Sequence, residues 1–149
     1  MLFRSYSRNY KEYLDIDLIH NFLNREAYWS KGIPKETVKK SIENTPLNFG
    51  VYKGEIGNEV IEQVGFARVI TDLTTYAYLC DVFILTDYRK LGLSKWLMET
   101  IINHSELQGV RRFMLATNDA HSLYNQYGFE QIDTPELFMQ KVQKSPYQQ

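Results

Sequence analysis

Two stretches of the 149-residue chain combine residue types that chemistry can use. In the first, Arg89-Lys90-Leu91-Gly92-Leu93-Ser94 follows an apolar run and opens a helical stripe. A helix start offers unpaired backbone N–H groups and the positive end of the helix dipole, so this loop suits a diphosphate. Gly92 would let a phosphate approach the backbone closely. The same residues would also serve as a plain strand-to-helix turn. No G-x-x-x-x-G-K-[ST] or G-x-G-x-x-G string is present, so a P-loop and a dinucleotide fold lose their main support.

In the second stretch, Asp81 is the single charged side chain in the apolar run Tyr76 to Leu85. Desolvation there should raise its pKa and make it a better general base near neutrality. The alternative is a structural carboxylate bonded to backbone or to a tyrosine. Cys80, the chain's one cysteine, has no cationic neighbour in sequence to lower its pKa, and reads as core filling rather than as an acyl carrier.

These residues need a frame, and hydropathy periodicity supplies it. A short strand is expected near Tyr13 to Ile16. Leu18, Ile19, Phe22, Leu23 and Ala27 then mark a helix ending near Tyr28, and Pro34 opens a second helix with Val38 and Ile42 on one side. Leu47 to Val51 and Val60 to Ile70, joined by the turn-rich Lys53 to Asn58, read as a hairpin. Tyr76 to Leu85 is apolar on both parities, as in a central strand.

Beyond it, Leu93, Trp96, Leu97, Thr100, Ile101 and His104 form a helical stripe, and Phe113 to Ala116 a short buried strand. Thr117, Asn118 or Asp119 can cap a last helix carrying Leu123, Tyr124 and Tyr127, stopped by Gly128. Phe129 to Ile132 and Leu137 to Val142, joined by 133–136, read as a final pair of strands. The sum is a mixed α/β sheet with helices on its faces.

Composition narrows the function classes. Lysine plus arginine number 17 against 18 acidic residues, so no net field favours nucleic acid or an anionic membrane. Arg111-Arg112 reads as a solvated edge. The lone cysteine excludes an internal disulfide framework, and no apolar stretch approaches the ~20 residues of a membrane span. With no signal-peptide pattern at the start, the expectation is a cytoplasmic protein, one domain over 1–149.

The string Arg89 to Ser94 resembles the pyrophosphate loop of the GNAT N-acetyltransferases, Q/R-x-x-G-x-G/A. Ala120-His121-Ser122-Leu123-Tyr124-Asn125-Gln126-Tyr127-Gly128-Phe129 is similar to that family's A-x-x-L-Y-x-x-x-G-F segment, at the expected distance downstream. The order of elements matches over nearly the whole chain, the first third in pattern alone. Ser94 departs from the usual glycine or alanine, but is small and adds a hydroxyl.

The resemblance implies a GNAT fold, with a mixed, mostly antiparallel sheet of about six or seven strands, about four helices, and a V-shaped cleft between the fourth and fifth strands. It implies acetyl-CoA as acyl donor, its pantetheine along Val82, Phe83, Ile84 and Leu85, its diphosphate on Arg89, Lys90, Leu91, Gly92, Leu93 and Ser94. Tyr124 would protonate the leaving CoA thiolate, and Asp81, on the strand where the family often carries an acid, would act as base.

Asn118 would hold the pantetheine arm or simply cap its helix. Tyr28 and Trp29 would wall the acceptor pocket or close the core. His121 reads first as a solvated or capping residue. The expected activity is direct acyl transfer to a primary amine, small or peptidyl, in a ternary complex without a metal. A non-catalytic acyl-CoA-binding module and a plain α/β interaction domain are the rival readings, and monomer or homodimer stays open.

Overall fold

The computed structural model describes residues 3–6, 11–54, 61–144 and 146–147. In chain order the elements are β1 (Phe3–Tyr6), α1 (Ile16–Arg25), α2 (Lys35–Glu43), β2 (Leu47–Lys53), β3 (Glu62–Thr71), β4 (Tyr76–Ile84), α3 (Leu93–Ile102), β5 (Arg112–Leu115) and α4 (His121–Asn125). The strands form one sheet in the order β1-β2-β3-β4-β5. Successive pairs are antiparallel up to β4, and β5 joins β4 in parallel.

Each face of the sheet buries a separate apolar layer. On one face, Leu93, Leu97, Met98 and Ile101 of α3 pack on Phe49, Val51, Val64 and Leu79. On the other, Ile19, Phe22 and Leu23 of α1 and Val38 and Ile42 of α2 cover Phe66 and Phe83. The helical spacing of those residues predicts this division, because one stripe per helix can face the sheet. The β3–β4 turn is set by Asp72, whose carboxylate accepts the N–H groups of Thr74 and Thr75 and the Thr75 hydroxyl. Those bonds, the Thr75 hydroxyl first, hold its carboxyl well below the usual range.

Several expectations are corrected. The strand near Tyr13 to Ile16 is a 3-10 turn over Lys11–Tyr13 followed by helix, because Asp15 caps α1 by accepting the Leu18 N–H at 3.0 Å. α1 stops at Arg25, before Tyr28. Much of the turn Lys53 to Asn58, and Val60 at the start of the next expected strand, lie outside the described residues.

The final pair of strands, Phe129 to Ile132 and Leu137 to Val142, forms no ladder among the described residues, and the sheet has five strands there rather than six or seven. Alternating apolar residues favour extended chain, but a strand also needs an edge to pair with. Here Pro135 starts a 3-10 turn over Pro135–Leu137 that draws Leu137 out of the strand it was expected to begin.

Candidate active site

The cleft originates in a fault in the β3–β4 ladder. Phe66 faces Phe83 and Arg68 faces Cys80, so Asp81 and Val82 together oppose the single residue Ala67. This is a β-bulge, and Asp81 takes φ 56°, a left-handed conformation that aspartate tolerates better than most residues. The β4–β5 ladder runs from Tyr76↔Arg112 to Leu79↔Leu115 and, among the described residues, ends there. Past the bulge a cavity of about 370 Å³ separates the two strands.

Tyr28, Trp29, Asp81, Val82, Asn118 and Tyr124 all line that cavity, although they come from three distant parts of the chain. The Trp29 indole Nε1 donates to Asp81 Oδ1 at 3.0 Å, and the Tyr28 hydroxyl accepts the Asn118 N–H at 3.1 Å. The two aromatic rings meet edge to face, 5.0 Å apart. The N-cap of α4 is Ala120 and no side chain caps that helix, so none of Thr117, Asn118 and Asp119 does; Thr117 Oγ1 accepts the Ala120 N–H before the helix begins.

Asp81 is not an isolated carboxylate. Arg68 Nε donates to Oδ2 at 2.9 Å, and Arg68 Nη1 reaches Thr45 Oγ1 at 3.0 Å, which in turn donates to the Ser41 carbonyl at 2.6 Å. Both charged side chains are largely buried, with 15% and 12% exposure. The ion pair supplies the counter-charge that a desolvated carboxylate needs. Sequence reasoning missed Arg68; the signal was a lone charge inside the apolar run Val64 to Ile70, as unusual there as Asp81 is in β4.

Burial above all, with smaller contributions from Tyr28 and Asp119, raises the Tyr124 phenol above its ordinary value. Its ring packs near Phe129, centroids 6.1 Å apart, and no hydrogen bond engages its hydroxyl among the described residues. A phenol that keeps its proton while facing a cleft can donate it. Burial pushes the neighbouring Cys80 thiol up to about 12, against the opposing pull of Arg68, so this cysteine stays a thiol at neutral pH.

The loop after β4 forms a second depression, about 420 Å³, lined by Ile84, Arg89, Lys90, Gly92, Ser94 and Leu123 among others. Gly92 is the N-cap of α3 at φ 79°, and Lys90 also turns left-handed at φ 64°. A Cβ on Gly92 would meet nothing within 4 Å, so glycine is needed here for backbone conformation, and the space in front of the helix start is open. Arg89 ties the loop to β4, its Nε donating to the Ile84 carbonyl at 3.0 Å.

Some expected residues face elsewhere with their side chains. Phe83 stacks on Phe22 at 4.0 Å, Leu93 is buried under α3, and the Leu85 N–H is taken by the Val64 carbonyl at 2.8 Å. Phe83 and Leu93 therefore have only backbone groups to offer a ligand. His121 is exposed and lines a neighbouring groove together with Tyr124.

A family model described as an acetyltransferase (GNAT) domain matches residues 48–131, a span that holds the bulge, the glycine loop and α4. The chain belongs to the GNAT acetyltransferase family. A candidate acetyltransferase of Gibberella zeae is 32% identical over 127 residues, covering 74% of this chain and 70% of its own. A candidate GNAT acetyltransferase from Xanthomonas campestris superposes with a TM-score of 0.89 at 40% identity, covering 100% of this chain and 99% of that one. A candidate acetyltransferase from Clostridium acetobutylicum, solved with acetyl-CoA, shares the fold, with a TM-score of 0.62 at 13% identity and 95% coverage of each chain. The GNAT fold and an acetyltransferase activity of the 2.3.1 class follow from the family, as does the family's use of acetyl-CoA.

Proposed function

We propose that the 149 residues act as one catalytic unit that transfers an acetyl group from acetyl-CoA to a primary amine by direct attack in a ternary complex. The observation that carries this reading is convergence: a bulge-borne carboxylate and an unengaged phenol line one cleft at the point where β4 and β5 part. The residues fit the donor. Lys90, Gly92, Leu93 and Ser94 line an open depression at the start of α3, where the unpaired amides of a helix N-terminus suit an anion. Beyond Leu79, β4 no longer pairs with β5, so its edge from Val82 to Ile84 is free to pair with the amide-bearing pantetheine arm.

In this reading Asp81 takes the proton that the attacking nitrogen must lose, directly or through water. Its two oxygens each hold one donor, and a carboxylate has about four acceptor positions, so capacity remains. Arg68 and Trp29 position it. Backbone N–H groups of β4 stabilise the negative charge that develops on the thioester oxygen. As the carbon–sulfur bond breaks, Tyr124 gives its proton to the departing sulfur, and the deprotonated phenol then recovers one from solvent. Tyr28 and Trp29 form the wall against which the acceptor lies, with Asn118 between that wall and the donor.

A panel of amines assayed for release of free CoA thiol tests the proposal. Turnover with at least one primary amine, and none without acceptor, is the expected result. CoA binding without turnover on any amine would instead favour a non-catalytic acyl-CoA-binding module.

A further inference from the structure

Ala77 and Leu79 of β4 point into the layer under α3, so Tyr76, Tyr78 and Cys80 point to the opposite side of the sheet. Register puts Arg112 beside Tyr76 and Met114 beside Tyr78, and the Tyr76 hydroxyl donates to Met114 Sδ at 3.2 Å. Tyr76, Tyr78, Arg112 and Met114 line a depression of about 900 Å³ to which neither α1 nor α2 contributes a residue. Tyr78 lines both this depression and the active-site cleft, so one trough leads from Asp81 to Arg112.

The far end of the trough is cationic. Arg111 and Arg112 both line it, and no acid does. Neither guanidinium forms an ion pair among the described residues, and Asp72, in the adjoining turn, spends its carboxylate on Thr74 and Thr75. Arg112 lies over the Phe138 ring at 4.9 Å, a contact that orients the guanidinium and leaves its N–H groups at the rim for an anion. A solvated edge explains the exposure of the two arginines, but not their meeting in a depression that runs into the cleft. Midway, burial above all raises the Tyr78 phenol, so its hydroxyl stays a neutral donor. Tyr76 and Asp81 stand five positions apart in β4, about 16 Å at ~3.3 Å per residue. With the inward reach of an arginine side chain, an extended peptide of about three to five residues spans that distance.

We propose that the acceptor is an acidic peptide lying along this trough, its free α-amine at Asp81 and a carboxylate several residues on held by Arg111 and Arg112. This rests on the acetyl-transfer reading above and names the acceptor class for it. The two ends differ in kind, as such a ligand requires: Asp81 with the Tyr28 and Trp29 rings suits an amine, and the paired guanidinium groups suit a carboxylate. Tyr76, Tyr78 and Met114 between them give the peptide chain an apolar floor with one hydroxyl donor at Tyr78.

Turnover of C-terminally amidated peptides with glutamate, glutamine or lysine at about the fourth residue tests this, with thermal melting to verify that each variant folds. In the parent, kcat/KM should be at least ~5-fold higher for the acidic peptide than for the neutral one and lowest for the basic one. The margin should shrink in high salt, since the arginines are exposed. Arg111→Gln together with Arg112→Gln should bring the acidic-to-neutral ratio close to one, chiefly through KM, and Arg112→Glu should favour the basic peptide over the acidic one. Equal kcat/KM for the three peptides in the parent, or a ratio untouched by loss of both arginines, would overturn the proposal. Turnover of another amine but of no peptide would also overturn it while leaving acetyl transfer standing, whereas no turnover with any amine would remove acetyl transfer and the peptide with it.

Discussion

Trp29 and Asp81, separated by 52 positions in sequence, are joined by a 3.0 Å hydrogen bond from indole Nε1 to Oδ1. The bond ties the segment after α1 to the bulge in β4. Because Arg68 holds the other carboxylate oxygen, three segments fix one side chain. Such fixation is what a base must have to meet its proton in a reproducible geometry.

Asp81→Asn should lower both rate and stability, and the second effect must be separated from the first. Removing the charge leaves Arg68 buried without its counter-ion, a loss of about 3 kcal/mol in comparable pairs. Pairing it with Arg68→Met removes the stranded charge. The double variant should therefore melt nearer the parent temperature while its kcat stays low, if Asp81 is the base. A double variant that regains full turnover would reduce Asp81 to a structural role.

Gly92→Val tests the anion site. The position has room for a side chain, but φ 79° costs a branched residue at least ~1–2 kcal/mol, relieved by turning the amides away from the site. Acetyl-CoA affinity measured by calorimetry should fall at least ~10-fold. Equal affinity in a folded variant would remove the diphosphate from this loop.

The parts legible in the sequence were those fixed by local pattern. Gly92 before an apolar stripe announced a helix start, and the run around Asp81 announced a buried strand, because each signal needs only neighbours within about two turns or one strand. Arg68 was hidden because its partner is set by strand register, which a bulge shifts by one residue. The extended segments after Gly128 were legible as extended chain but not as unpaired. Pairing depends on a free edge elsewhere in space, and the alternation of Leu137 to Val142 carries no information about which edge that is.

Cys80 lines the cleft, yet it should react slowly. With its thiol at about 12 against an ordinary 9.0, its thiolate fraction at neutral pH is about a thousandfold below that of a free cysteine. Modification by a thiol-specific disulfide reagent should be at least ~10-fold slower in the folded protein, since the greater basicity of the thiolate offsets part of its scarcity, and rapid in denaturant. Cys80→Ala should keep turnover within about twofold. Rapid labelling of native protein with loss of activity would point to a functional thiol.

Tyr124→Phe keeps the ring against Phe129 and removes only the hydroxyl, so it isolates proton donation from packing. A thiolate with a pKa near ~8.5 needs modest help from a phenol. The expected fall in kcat is therefore roughly ten- to a thousandfold, the range of general-acid effects, with acetyl-CoA affinity little changed. Alkaline titration adds a second readout. The phenol is raised in the folded state, mainly by burial, so its contribution to stability is complete below its unfolded value near ~10 and is lost as pH rises through the folded value. The parent should accordingly lose melting temperature more steeply than Tyr124→Phe above that pH, while its activity persists as far as the phenol keeps its proton. Full activity in Tyr124→Phe, with an unchanged alkaline limb, would return Tyr124 to a packing role.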